Sequence, residues 1–264
     1  MLCAYKMSNI LKMTYLNGLW KRLGECVRIA RMRAKPHLER AELSSNNPEL
    51  ILASTSPRRR QLMGLGGWMF NIIPAEVDET PLPGESPQKY VIRLAEAKAR
   101  FAAQEAPSRA IVIAADTTVA DHGRILGKPK DVHEATTMLK NLRGRIHQVF
   151  TALVVYQPAN NALETALAAT DVPMRGYSDA EIEAYVSTGD PFDKAGSYAI
   201  QHPDFRPVER LSGCYANVVG LPLCHLSRVL KKFGITPQSD IPRACQRTLQ
   251  YHCDVFTSII KGEL

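Results

Sequence analysis

Three consecutive arginines, Arg58, Arg59 and Arg60, follow the run Ile51-Leu52-Ala53-Ser54-Thr55-Ser56-Pro57. Ser56 then Pro57 has the form of a helix N-cap followed by proline at the first helical position. The arginines therefore fall in a first helical turn, beside free N–H groups and the positive end of the dipole, where cations are unfavourable. A bound anion offsets that cost. Helix N–H groups, the hydroxyls of Ser54 and Ser56 and a bidentate guanidinium can converge on one phosphate. The same residues also suit a solvated basic turn, and this segment alone leaves both readings open.

A second candidate is Asp116, which is expected to end the apolar strand Ala110–Ala115 and is followed by Thr117 and Thr118. A carboxylate at that edge of an α/β sheet can hold Mg²⁺ or take a proton from water; it can equally cap a tight turn. Gly123-Arg124-Ile125-Leu126-Gly127-Lys128-Pro129 is not a Walker A loop, because the glycine spacing is short and proline follows the lysine. Pro129 is expected to pin Lys128 in an extended turn near Asp116. The run Asp193-Lys194-Ala195-Gly196-Ser197-Tyr198-Ala199-Ile200-Gln201 reads as a polar turn leading into a short strand that ends at Gln201, or as a structural loop anchored by Lys194.

The elements that must position these groups alternate along the chain. Leu50–Ala53 reads as a short buried strand, and Pro57 to about Leu65 as a helix closed by Gly66-Gly67. Ser86-Pro87 repeats the cap and opens an amphipathic helix with Val91, Leu94, Ala95 and Lys98 at helical spacing. Asp131–Leu142, Tyr177–Val186 and Leu223–Phe233 read as further helices; His147–Tyr156 and Thr165–Arg175 read as strands. The alternation predicts an α/β fold.

The chain has 264 residues and a formal charge of +7. Residues 1–47 hold nine Lys or Arg and three Glu, a balance of +6, which leaves +1 for the rest. That argues against nucleic acid as the partner of the main body. No run approaches the roughly 18 apolar residues that span a bilayer. The six cysteines form no CxxC pair, which argues against a zinc site and fits reduced thiols and a cytoplasmic location. Residues 1–47 read as a basic extension, flexible or weakly helical, as sequence upstream of a later start at Met7, Met13 or Met32, or as a targeting segment. Residues 48–235 form the candidate domain, and 236–264 a tail without an assigned role.

Taken together, ASTSPRRR, AEVDE, the lysine of LAEAKAR, AADTTV, LGKPKD, GRIHQVFTAL, DKAGSYAIQ and NVVGLPL stand in an order and spacing similar to those of the Maf (septum formation inhibitor) family of nucleoside triphosphate pyrophosphatases. The resemblance covers about residues 49–233. It implies an elongated mixed β-sheet with flanking helices and two lobes around a cleft, of the inosine-triphosphate-pyrophosphatase type, with a homodimer as the usual assembly. It implies hydrolysis of a nucleoside triphosphate to monophosphate and pyrophosphate with a divalent cation, Mg²⁺ or Mn²⁺. By the same resemblance, Asp116 is the proton acceptor and a metal ligand, Lys98 and Lys128 neutralise phosphate, and Ser54, Ser56 and Arg59 bind it. The resemblance also implies that Asp78 or Glu79 supplies a further catalytic or metal-linked carboxylate.

Arg58, Thr117 and Gln201 resemble the branch acting on dTTP and UTP. The departures are His202, where the family has glycine, and Ser212-Gly213-Cys214-Tyr215-Ala216 before NVVGLPL. Both lie on the base-binding side, so 7-methyl-GTP or CTP preference stays an alternative. A non-catalytic, nucleic-acid-binding regulator of cell division is a further one.

Overall fold

A computed structural model describes residues 48–264; the expectations for residues 1–47 lie outside the described residues. The chain alternates as expected. Strand β1 (Leu50–Leu52) leads into helix α1 (Pro57–Gly64), then β2 (Phe70–Ile72), α2 (Pro87–Ala103), β3 (Ile111–Asp121) and β4 (Arg124–Leu126). Helix α3 (Val132–Leu142), β5 (Ile146–Gln157), β6 (Ala162–Pro173) and α4 (Asp179–Ser187) follow. Two single 3₁₀ turns, Asp190–Asp193 and Ala195–Ser197, precede α5 (Tyr215–Val219), α6 (Leu223–Lys232), α7 (Ile241–Leu249) and α8 (Phe256–Lys261).

Among the described residues the strands form one mixed sheet in the order β2-β1-β3-β5-β6, with β4 paired to β3. β1 is parallel to both β2 and β3, and the remaining pairs are antiparallel. The register explains where a cleft can open. β1 ends with Leu52 opposite Ile113, whereas the pairing of β3 with β4 begins only at Val119, opposite Leu126, the last residue of β4. Between those positions β3 has a strand on its β5 side alone. Asp116 is therefore not at a strand end, as the sequence had suggested. β3 runs five residues further, to Asp121, because β5 pairs with it through Ala120 and supplies the hydrogen bonds that β1 no longer provides.

Alternation along β3 splits the core in two. Ile111, Ile113 and Ala115 pack with α1, α5, α6 and the C-terminal helices. Val112 and Ala114 pack on the other face against Tyr90, Val91, Leu94 and Ala95 of α2. A third cluster joins Val119, Val149 and Val172, beyond the end of β1, to α3 and α4. The cleft lies between this third cluster and the part built on β1, α1 and α2.

The strand expected to end at Gln201 does not form. Gly196 and Ser197 have φ of 70° and 64°, which breaks an extended chain. The segment instead turns back, and the Gly196 amide donates to the Gly127 carbonyl at 3.1 Å. The three-residue strands β2 and β4 and the short α5 went unread, because each is too brief to show a period.

Residues 236–264 fold onto the body. Ile241 and Ile259 are 3% and 2% exposed within the α1/α6 cluster. Arg228 Nη1 donates to the carbonyls of Ile259 and Leu264, both at 2.9 Å. Among the described residues no helix is long and apolar enough to cross a membrane. Ile241→Ala and Ile259→Ala should each cost about 2–5 kcal/mol, read from urea midpoints. The half-exposed Ile260→Ala should stay within about 0.5 kcal/mol. Equal, negligible effects at all three would show that these helices do not complete the core.

Candidate active site

Asp116 shares the face of Val112 and Ala114, so its carboxylate points toward α2. There Lys98 lies on the buried stripe of α2, four residues after Leu94. The Lys98 ammonium donates to Asp116 Oδ1 and to Glu79 Oε1, both at 2.6 Å. Lys98 and Asp116 are buried, whereas the Glu79 side chain is 46% exposed. Glu79 is carried by the loop between β2 and α2, which α2 itself holds. The Tyr90 hydroxyl donates to the Glu79 carbonyl at 2.8 Å, and Arg93 clamps Glu85 through two bonds of 2.7 Å. Asp78 turns away: its Oδ1 accepts from the Thr80 amide at 2.9 Å, and it does not line the cleft. Of the two adjacent acids, the fold brings Glu79 to Lys98.

Thr117 lies on the opposite face of β3, where α1 approaches. Arg59 Nη2 donates to Thr117 Oγ1 at 3.0 Å, and Arg59 Nε donates to the Gly220 carbonyl at 2.9 Å. Gly220 has φ of 116°, and a Cβ there would sit 3.2 Å from Thr117 Oγ1 and 3.4 Å from Arg59 Nε. Only glycine lets that carbonyl meet the guanidinium. Ser56 Oγ accepts from the Arg59 amide at 3.4 Å, and Ser54 Oγ from the Ser56 amide at 3.2 Å, closing the turn as an N-cap. Arg60, by contrast, is exposed and does not line the cleft.

The two faces meet in a cleft of about 440 Å³ lined by Ser54, Ser56, Arg58, Arg59, Glu79, Lys98, Asp116, Thr117, Lys128, Lys194 and Gln201, among others. Of the expected site residues, Asp78 alone is outside it. Lys128 reaches the rim on the loop whose Pro129 is buried. The lysine touching Asp116 is Lys98, however, and the charge of Lys128 acts on Glu79. The far wall is held by Lys194, whose ammonium donates to the Asp190 carbonyl and to its Oδ1 at 2.9 Å. Tyr185 donates to Asp190 Oδ2 at 2.7 Å and accepts from the Ala199 amide at 3.0 Å, which orients the segment ending at Gln201. Arg58 and Asp193 approach to 3.8 Å across the mouth.

Burial sets the electrostatics. It raises the Asp116 carboxyl above the ordinary carboxylate range, against the pull of Lys98 and Arg59. Burial also lowers the Arg59 guanidinium, against the attraction of Asp116. Burial pushes Glu79 up as well, but its hydrogen bond and charge contact with Lys98, aided by Lys128 and Arg59, outweigh that and hold it below the usual value. Two neighbouring carboxyls thus diverge, one toward accepting a proton and one toward staying ionised.

The Maf family, described as Maf-like protein, matches residues 49–233. The chain belongs to the Maf family. A protein named dTTP/UTP pyrophosphatase from Geobacter sp. (strain M21) is 45% identical over 188 residues, 71% of this chain and 97% of the relative. A protein of the same name from Anaeromyxobacter dehalogenans (strain 2CP-C) is 45% identical over 190 residues, 71% of this chain and 95% of the relative. Among solved structures, the Staphylococcus aureus Ham1 protein is similar with a TM-score of 0.38 and 16% identity, covering 82% of this chain and 100% of that one.

The donor set of this Maf site suits a hard divalent cation. Asp116 and Glu79 each give one oxygen to Lys98 and keep the other without a partner among the described residues. No group of three or more His, Cys, Asp or Glu that could hold a metal occurs among the described residues. Two carboxylates completed by water and phosphate oxygens fit Mg²⁺ or Mn²⁺, whereas a protein-only zinc site needs more ligands. Sequence reasoning missed Gly220, Thr151 and Asn217 as parts of the site's support. Their signal lay in the quoted GRIHQVFTAL and NVVGLPL blocks, but nothing local pointed to Arg59.

Lys98→Met keeps the apolar stem and removes the charge shared by two acids. Asp116 then rises further, and the stability restored by its protonation is present at low pH and lost as pH rises through its folded value. The variant should lose about 3–5 kcal/mol near neutral pH or above and visibly less at about pH 5, by urea denaturation. An equal loss at both would mean that Lys98 acts through packing alone.

Proposed function

We propose that the chain hydrolyses nucleoside triphosphates to the monophosphate and pyrophosphate, with dTTP and UTP favoured. The observation that carries this reading is the buried Lys98 ammonium joining Asp116 and Glu79 directly opposite Arg59 and the Ser54–Ser56 turn. One wall offers a carboxylate with raised proton affinity, and the other offers cations and N–H groups for phosphate. The names of the relatives support the same reaction and the same nucleotides.

The steps follow from the residues. Arg59, Lys128 and the N-terminus of α1 bind the phosphate chain and neutralise its oxygens. Asp116 accepts a proton from water as the water oxygen attacks the α-phosphorus. The bond from that phosphorus to the bridging oxygen breaks, and charge gathers on pyrophosphate, where Arg59 meets it. Lys98 keeps Asp116 placed and ionised before attack, and Glu79 keeps Lys98 centred. A divalent cation bound with the nucleotide would be held by the outward oxygens of Asp116 and Glu79, and would supply further charge neutralisation at the phosphate.

Gln201 lies on the same cleft and is exposed to it, which supports a base-reading role. Its amide offers one donor and one acceptor, matching the O4 and N3–H edge that uracil and thymine share. Cytosine presents the inverse pattern there. The unpaired cysteines Cys214, Cys224, Cys245 and Cys253 support a reducing, cytoplasmic setting.

Asp116→Asn should lower turnover on the order of 10²-fold or more while leaving the urea midpoint near or above that of the parent. Near-normal pyrophosphate release by a folded Asp116→Asn protein would remove Asp116 from the chemistry. In a panel of triphosphates with Mg²⁺ or Mn²⁺, dTTP and UTP should be cleaved much faster than CTP. Gln201→Glu should damage dTTP and UTP turnover selectively. Equal kcat/KM for dTTP, UTP and CTP, or a preference for 7-methyl-GTP, would overturn the base-reading assignment.

A further inference from the structure

A line of hydroxyls leads away from Arg59 into the core. Arg59 Nη2 donates to Thr117 Oγ1 at 3.0 Å, Thr117 Oγ1 lies 2.9 Å from Thr151 Oγ1, and Thr151 Oγ1 donates to the Asn217 carbonyl at 3.0 Å. Thr117 and Thr151 face each other in register across β3 and β5. Thr151 and Asn217 are fully buried and do not line the cleft.

Counting protons fixes the direction of the row. A guanidinium only donates, a carbonyl only accepts, and each threonine has one proton. Thr151 gives its proton to Asn217, so Thr117 must give its own to Thr151. Thr117 Oγ1 is then left as an acceptor turned toward Arg59. Asn217 is itself fixed, because its Nδ2 donates to the Val149 carbonyl at 3.0 Å and to Thr170 Oγ1 at 2.8 Å. The Arg59 donors not used by Thr117 and Gly220 remain for the cleft.

From this we propose that Thr151 and Asn217 are positioning residues that aim the Arg59 guanidinium at the phosphate site, and that Thr117 influences the reaction through Arg59 rather than by donating to the base. Its one proton is already committed to Thr151. The reaction it serves is the one proposed above, so the test has to separate the two.

Thr151→Val removes the hydroxyl at nearly constant volume, and Thr151→Ser keeps it. The Val variant should lose about 10-fold in kcat/KM for UTP, the equivalent of one hydrogen bond, and the Ser variant should recover most of that. The loss should be the same for dTTP, UTP and CTP, since the phosphate and not the base is affected. In the Arg59→Ala background, Thr151→Val should add no further loss. Independently of turnover, the resonance of the Arg59 Nη2–H that Thr117 Oγ1 accepts should be protected from exchange in the parent and Thr151→Ser proteins and lose that protection in Thr151→Val. A parent protein that cleaves no nucleotide defeats the proposed reaction, and the resonance then decides the positioning. A Thr151→Val loss that persists in the Arg59→Ala background, or unchanged protection of Arg59, overturns the inference.

Discussion

The cleft depends on one constraint: β3 continues where β1 stops. Ile113 is the last residue of β3 paired with β1, and Val119 the first paired with β4. The stretch between them is secured by β5 alone, so its other edge is open. Because successive side chains alternate, that short stretch sends Asp116 toward α2 and Thr117 toward α1. A single strand therefore supplies both walls. The acid wall and the basic wall keep a fixed separation because they are neighbouring residues of one strand whose backbone is held by antiparallel pairing.

The partners chosen for each cation fit that division. Lys98 is shared by two carboxylates, one buried and one half-exposed, which makes burial of the Lys98 and Asp116 charges tolerable. Arg58 and Lys194 likewise approach aspartates on the far wall. Arg59 is held by a carbonyl and a hydroxyl, both uncharged. A carboxylate in either place would fix the guanidinium equally well but would cancel its field. Neutral acceptors hold the side chain still and leave its charge to act on whatever enters the cleft.

Much of this was readable in the residues. The caps at Ser56 and Ser86, the apolar stripe of α2 with Lys98 on it, and the long strands all follow from local chemistry and period. What escaped was non-local. Asp116 looked like a strand end because the apolar run stops at Ala115, and only the partner β5 keeps the chain extended beyond it. Lys128 looked like the partner of Asp116 because its loop is rigid, whereas the stripe of α2 brings Lys98 there. Asp78 and Glu79 were indistinguishable as types; the loop tied down by Tyr90 and Arg93 decides between them. The strand expected before Gln201 failed on two left-handed residues, of which Ser197 gave no warning. The tail beyond residue 235 carried no legible role, because the stripe it covers belongs to α6.

The fixed direction of the Arg59 row has one more consequence. A chain of hydroxyls between groups that can both give and take protons would serve as a relay, passing protons between cleft and interior by reversing its polarity. This row cannot reverse. Its outer end is a guanidinium that does not give up its proton, and its inner end is a peptide carbonyl that has none to return. It is a standing dipole rather than a conductor. In the proposed reaction this row therefore offers no exit to a proton taken from water at Asp116; the open path is the mouth of the cleft, where Glu79 is already exposed to solvent.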